Sequence, residues 1–101
     1  MNTRVKGRRN EKRASIALEA LGFQTQLTTS PTKWALQNDI FGLWDVIAIN
    51  ENYIRCVQVK TNQNAPKAWR EKALAWKCPT NCSREVWIYK DRVKEPKIII
   101  L

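Results

Sequence analysis

The stretch YIRCVQVKTN, Tyr53 to Asn62, decides how this chain is read. Tyr53, Ile54, Cys56, Val57 and Val59 are the β-branched, aromatic and small residues that suit a buried or half-buried strand. Gln58 and Lys60 lie two apart and therefore project from one face of that strand. An amide and an ammonium share a face either because the face is wet or because they converge on something.

Upstream, Leu43 to Ile49 (LWDVIAI) is a near-continuous apolar strand interrupted by one charge, Asp45. Asp is depleted in strands, so its presence there asks for a reason. Asn50 to Asn52 form a short turn, which predicts a hairpin. With Glu51 and Asn52 at the turn, Asn50 faces Tyr53 and Asp45 faces Gln58, their Cβ atoms roughly 5 Å apart, with Lys60 at the diagonal position. The turn is not of Asn-Gly type, and a slip of one residue would change these partners.

The rest of the chain supplies the frame. From about Val5 to Leu21 the pattern is helical, with Ala14, Ala17, Leu18 and Leu21 as the apolar stripe and Gly22 at the C-terminal cap. Glu11 extends that stripe, and a carboxylate on the core side of a helix needs a partner. Lys60 or a bound metal ion would serve; equally, Glu11 favours the helix N-terminal half through the dipole. Phe23 to Thr29 alternates as a strand and Ser30-Pro31 breaks it. Trp34 to Asp39 reads as loop or short helix. A second helix runs from Pro66 to about Trp76, a fourth strand covers Glu85 to Tyr89, and Lys97 to Leu101 makes a fifth. The order α-β-β-β-α-β with an extra C-terminal strand predicts an α/β fold, a mixed sheet flanked by helices.

At 101 residues the chain is expected to form one domain, residues 1–101. No apolar run approaches the roughly 18 residues of a membrane helix, so a soluble, cytoplasmic protein without a membrane partner is expected. Eighteen Lys and Arg against nine Asp and Glu give +9, the footprint of a polyanionic partner such as nucleic acid. Arg4, Lys6, Arg8, Arg9, Lys12 and Arg13 form one basic cluster, and Lys67, Arg70, Lys72 and Lys77 a second. Lys90, Arg92, Lys94 and Lys97 form a third. There is no histidine, which removes histidine-ligated metal sites and the commonest general base. Cys78 and Cys82 have a spacing that zinc can use, but four ligands are needed and only Cys56 remains, so ordinary thiols are expected. Trp44 and Trp87 read as core. Trp69 and Trp76, interleaved with basic residues, are candidates for a DNA-facing or dimer-facing surface.

The strings GRRNE (Gly7–Glu11), GLWDVIAI (Gly42–Ile49) and RCVQVKT (Arg55–Thr61), in this element order, resemble the PD-(D/E)XK nuclease superfamily. Archaeal Holliday junction resolvases and related small phage and bacterial nucleases are the nearest in pattern. The resemblance covers about residues 7 to 90. It implies that Glu11 is the helix acid, Asp45 the metal-binding aspartate, Gln58 the variable acid position and Lys60 the catalytic lysine. It further implies a Mg²⁺ ion, replaceable by Mn²⁺, held by Asp45, Gln58, Glu11 and the carbonyl of Val59. The expected activity is hydrolysis of DNA, including branched DNA of recombination and repair, by a homodimer in a prokaryotic or phage-infected cell. Gln58 departs from the usual acid and brings no negative charge. A non-catalytic DNA- or RNA-binding module on the same fold is the alternative.

Overall fold

The computed structural model describes residues 3–28 and 39–101, with side chains from residue 6 onward. Its elements are α1 (Thr3–Ala20), β1 (Gln24–Leu27), β2 (Val46–Ile49), β3 (Ile54–Thr61), α2 (Lys67–Ala75), β4 (Cys82–Tyr89) and β5 (Lys97–Ile100). The expected break at Ser30-Pro31 and the segment from Trp34 to residue 38 lie outside the described residues.

Helix α1 forms because Ala14 and Leu18 present a continuous apolar stripe, and both are fully buried. It ends where Gly22 takes φ +93°, with Gly22 N–H donating to Glu19 O and Phe23 N–H to Leu18 O. Leu21, expected in the stripe, falls beyond the last turn and is exposed.

The sheet order is β1-β2-β3-β4-β5. The first three strands and the last pair are antiparallel, whereas β3 and β4 run parallel with α2 as the crossover. The mixed α/β architecture expected from the element order is therefore present. Val46, Ala48, Val57, Val59, Trp87 and Tyr89 face α1. Cys56 and Ile47 face the other side, where Leu43, Trp44 and Ala73 of α2 complete a second cluster. Gln58 and Lys60 alternate with Val57 and Val59 and so belong to that second side.

On the α1 side Glu85 is fully buried and fully engaged. Arg55 Nε and Nη2 donate to its two oxygens at 2.8 and 2.7 Å, Trp87 Nε1 donates at 2.9 Å, and Ser83 Oγ donates as well. Burial pushes the Glu85 carboxyl up, but the hydrogen bonds from Arg55, Ser83 and Trp87 outweigh it and hold the acid below its ordinary range. This buried pair fastens β3 to β4.

Two boundaries differ from expectation for a physical reason. Strand β4 starts at Cys82 instead of Glu85, because its parallel pairing with β3 covers all eight residues from Ile54↔Cys82 to Thr61↔Tyr89. Strand β2 starts at Val46 instead of Leu43. Phe41 and Gly42 both take left-handed backbone (φ +56° and +69°), and Ile40 and Trp44 exchange hydrogen bonds across this turn. Leu43, Trp44 and Asp45 are thus the exit of a turn, not part of the ladder.

Candidate active site

Three backbone contacts fix Asp45 before its side chain is considered. Its N–H donates to Val57 O at 2.9 Å, and its carbonyl accepts from Thr28 N–H at 2.9 Å and Thr28 Oγ1 at 3.0 Å. Its Oδ2 accepts the N–H of Val59 at 2.8 Å, so the carboxyl occupies a place on β3 that a ladder carbonyl would otherwise take. The hairpin register is the expected one. Val46 pairs with Val57 and Ile49 with Ile54. The turn is closed by Asn50, whose N–H donates to Tyr53 O while its Oδ1 accepts from Asn52 N–H and Tyr53 N–H at 2.8 and 2.7 Å. Asp45 accordingly stands beside Gln58, and both are buried.

Glu11 reaches this point from α1. It comes close enough to Asp45 for each carboxyl to shift the acidity of the other. Two acids so placed, one of them buried, favour the protonated form. Burial pushes Asp45 up to about 8, against the Val59 N–H, and the nearby charges of Glu11 and Asp39 add to the rise. Burial also raises Glu11, with the bond to Asp45 and the Arg8 charge pulling it down and Asp39 pushing it up.

The amide of Gln58, oriented to satisfy its neighbours, points Nε2 at Leu43 O and at Asp45 Oδ2, the latter at 3.2 Å. Lys60 is half-buried and, with Lys6, Val59, Thr61, Asn62 and Gln63, lines a cavity of about 420 Å³ at the end of β3. Among the described residues it forms no ion pair. Of the expected quartet, Asp45 and Gln58 thus stand side by side and Glu11 approaches Asp45 from α1, while Lys60 lines the cavity at the end of β3.

Among the described residues no three Cys, Asp or Glu side chains form a ready-made metal cage. Two hard carboxyl groups close together, Asp45 buried and Glu11 half-buried, nevertheless fit Mg²⁺, which takes one or two carboxylates and completes its shell with water and phosphate.

The basic residues do not form one surface. Arg8, Arg9 and Lys12 project from α1, whereas Lys67 and Lys72 project from α2 on the opposite side of the sheet; all five are exposed, and Arg70 is half-buried. Lys6 is paired with Asp91 at 2.9 Å. Arg13 is occupied internally: its guanidinium lies 4.4 Å from the Tyr89 ring centre and donates to Asn10 Oδ1 and Lys94 O. The side chain of Arg4 is outside the described ones.

The tryptophan expectation divides. Trp44 and Trp87 are buried, as read. Trp69 and Trp76 are half-buried and already packed: both stack edge-on against Trp44, at 5.4 and 5.5 Å, and Trp69 Nε1 donates to Leu43 O at 3.1 Å. The cysteines also differ from the linear picture. Cys56, far from the others in sequence, has its Sγ 3.5 Å from Cys82 Sγ, and the Cys78 thiol donates to Cys82 O. All three are free thiols, and burial raises Cys56 and Cys82, which keeps them protonated.

Asn10 was missed by sequence reasoning. It is buried on α1 beside Glu11 and donates from Nδ2 to Thr61 Oγ1 at 2.9 Å, fixing the helix against the end of β3. Its place on the buried face, one residue before Glu11, was the available signal.

The element order and sheet define a mixed α/β fold with helices on both faces. A solved structure that shares this fold is Hjc from Archaeoglobus fulgidus, a Holliday junction resolvase from an archaeal hyperthermophile. It matches with a TM-score of 0.70 and 16% identity, over 94% of this chain and 72% of that one. No family model and no curated protein sequence matches the chain. Among the described residues no helix is long and apolar enough to cross a membrane.

Proposed function

We propose that this chain is a Mg²⁺-dependent nuclease that hydrolyses DNA phosphodiester bonds, with branched DNA of recombination and repair as the first substrate to test. The observation that carries the reading is the buried Asp45 carboxyl, held on β3 by the Val59 N–H beside Gln58, on a fold shared with a Holliday junction resolvase. A bound Mg²⁺ ion, or Mn²⁺ in its place, would polarise the phosphate and acidify the attacking water. Glu11 and Asp45, as carboxylates, would hold it, with the Val59 carbonyl as a further oxygen. Thr28, Val57 and Val59 keep Asp45 in place, so that little reorganisation is needed when charge develops. Lys60 orients the water and offsets the charge gathering on the phosphate. Arg8, Arg9 and Lys12 grip the backbone of the duplex.

The test is incubation with supercoiled, linear and four-way-junction DNA in Mg²⁺, in Mn²⁺ and in chelator, with Asp45→Asn as control. Cleavage that needs the metal and Asp45 supports the reading; an inert wild type on every substrate removes it. A second reading, a DNA- or RNA-binding module without catalysis, is favoured by one observation. Gln58 offers donors, not a negative charge, to the acid cluster. Salt-sensitive binding without cleavage would select it.

A further inference from the structure

The geometry points to Gln58 as a positioning residue that holds Asp45 through its N–H groups, and not as a metal ligand. This rests on the reading of Glu11 and Asp45 as the metal-binding pair. Gln58 is 6% exposed, too deep for its amide to be solvated by bulk water. The end of its amide that faces Leu43 O and Asp45 Oδ2 is assigned as Nε2, because both neighbours there are acceptors. An amide has one ligating atom, Oε1, at the end of the group opposite its donors. Turning Oε1 toward the acids would set it against the Leu43 carbonyl and the Asp45 carboxyl at once, leaving them only Trp69 Nε1 and Val59 N–H as donors. Asp45 Oδ2 already receives Val59 N–H at 2.8 Å, so Gln58 is its second donor. Two donors on one oxygen fix the rotation of the carboxyl. The chain around Leu43 is held by the same amide, which ties the turn before Asp45 to β3.

A carboxylate at position 58 would reverse both contacts. Its oxygens would meet Leu43 O and Asp45 Oδ2 with no donor between them. Gln58→Glu therefore does not improve the site, although it restores the acid seen in the commonest form of the motif.

The deciding experiment uses wild-type protein labelled with ¹³C and ¹⁵N. In the metal-free protein the Gln58 side-chain N–H signals are expected to be protected from exchange, and added Mg²⁺ should move the Asp45 carboxyl carbon while leaving the Gln58 amide carbon in place. A Gln58 amide carbon that moves together with Asp45 overturns the assignment, as do unprotected Gln58 N–H groups. If Mg²⁺ moves neither carbon, the metal reading fails, and the protection of Gln58 N–H still decides its positioning role. Two variants extend the test. Gln58→Met, similar in length but without donors, should speed exchange of the Val59 N–H selectively and lower kcat on any cleaved DNA by about ten- to a hundredfold with KM little changed. Gln58→Glu should bind Mn²⁺ no more tightly than wild type. Equal loss of protection across all of β3 in Gln58→Met, or Mn²⁺ binding tightened tenfold by Gln58→Glu, would overturn it.

Discussion

Asp45 has its backbone N–H, its backbone carbonyl and one carboxyl oxygen all engaged, yet burial raises its carboxyl well above the ordinary range. Asp45→Asn keeps the size and the Val59 contact but removes the charge that a metal requires, so metal-dependent cleavage should disappear while salt-sensitive DNA binding survives. The same group sets a pH dependence. Because the folded protein raises Asp45 to about 8, it holds that proton more tightly than the unfolded chain. The stabilising contribution is complete below the ordinary carboxyl range and is lost as pH rises toward 8, by at most about 1.4 kcal/mol per pH unit. Metal-free wild type should therefore lose stability over that window in urea titrations, and Asp45→Asn should flatten the loss. Glu85 acts with the opposite sign. Its lowered acidity contributes stability above the ordinary carboxyl range, lost as pH falls through the folded value. Glu85→Gln should cost about 3–5 kcal/mol, because Arg55 would be left without its charge partner beside the core.

The turn from Ile40 to Trp44 is the element that aims the site. Gly42 stands at φ +69° with open space around its Cα, so Gly42→Ala meets no clash and suffers only the left-handed backbone penalty, about 1–2 kcal/mol. A drop in kcat larger than the loss of stability alone explains is expected, since Asp45 is displaced with the turn. Much of this element arrangement was legible in the sequence. The β2–β3 register followed from a short polar turn between two apolar runs, and the Asn50 side chain enforces it. Glu11 was legible because it continued the stripe of Ala14 and Leu18. Its approach to Asp45 was not, since only tertiary packing brings α1 against the start of β2. Nor was the role of Trp69 and Trp76. Basic neighbours made their helix look like a binding face, while the packing of Trp44 from a turn on the opposite element decided the matter.

Across the whole molecule, the sheet separates the exposed cations of α1 from those of α2, so a straight duplex meets one set or the other. With α1 as the binding face, changing Arg8, Arg9 and Lys12 to Ala should lower the log–log salt slope of DNA binding by about 2–3 units. Changing Lys67 and Lys72 should leave it nearly as it was; fluorescence anisotropy across a salt series separates the two. Strand β5 closes the sheet with Ile98 and Ile100 at 43% and 60% exposure, an edge suited to a second copy of the chain. A dimeric mass by light scattering at micromolar concentration is expected, and a charged residue at Ile98 should return it to monomer. The stack of Trp44 between Trp69 and Trp76 also gives the protein an optical signature. Indoles in edge contact at this range couple their transitions, and the near-ultraviolet circular dichroism of the chain is expected to carry that coupling. Because Trp69 is hydrogen-bonded to Leu43, two residues before Asp45, the band is a built-in gauge. Ion uptake or a substitution that shifts the acid cluster should be readable from it without any attached dye.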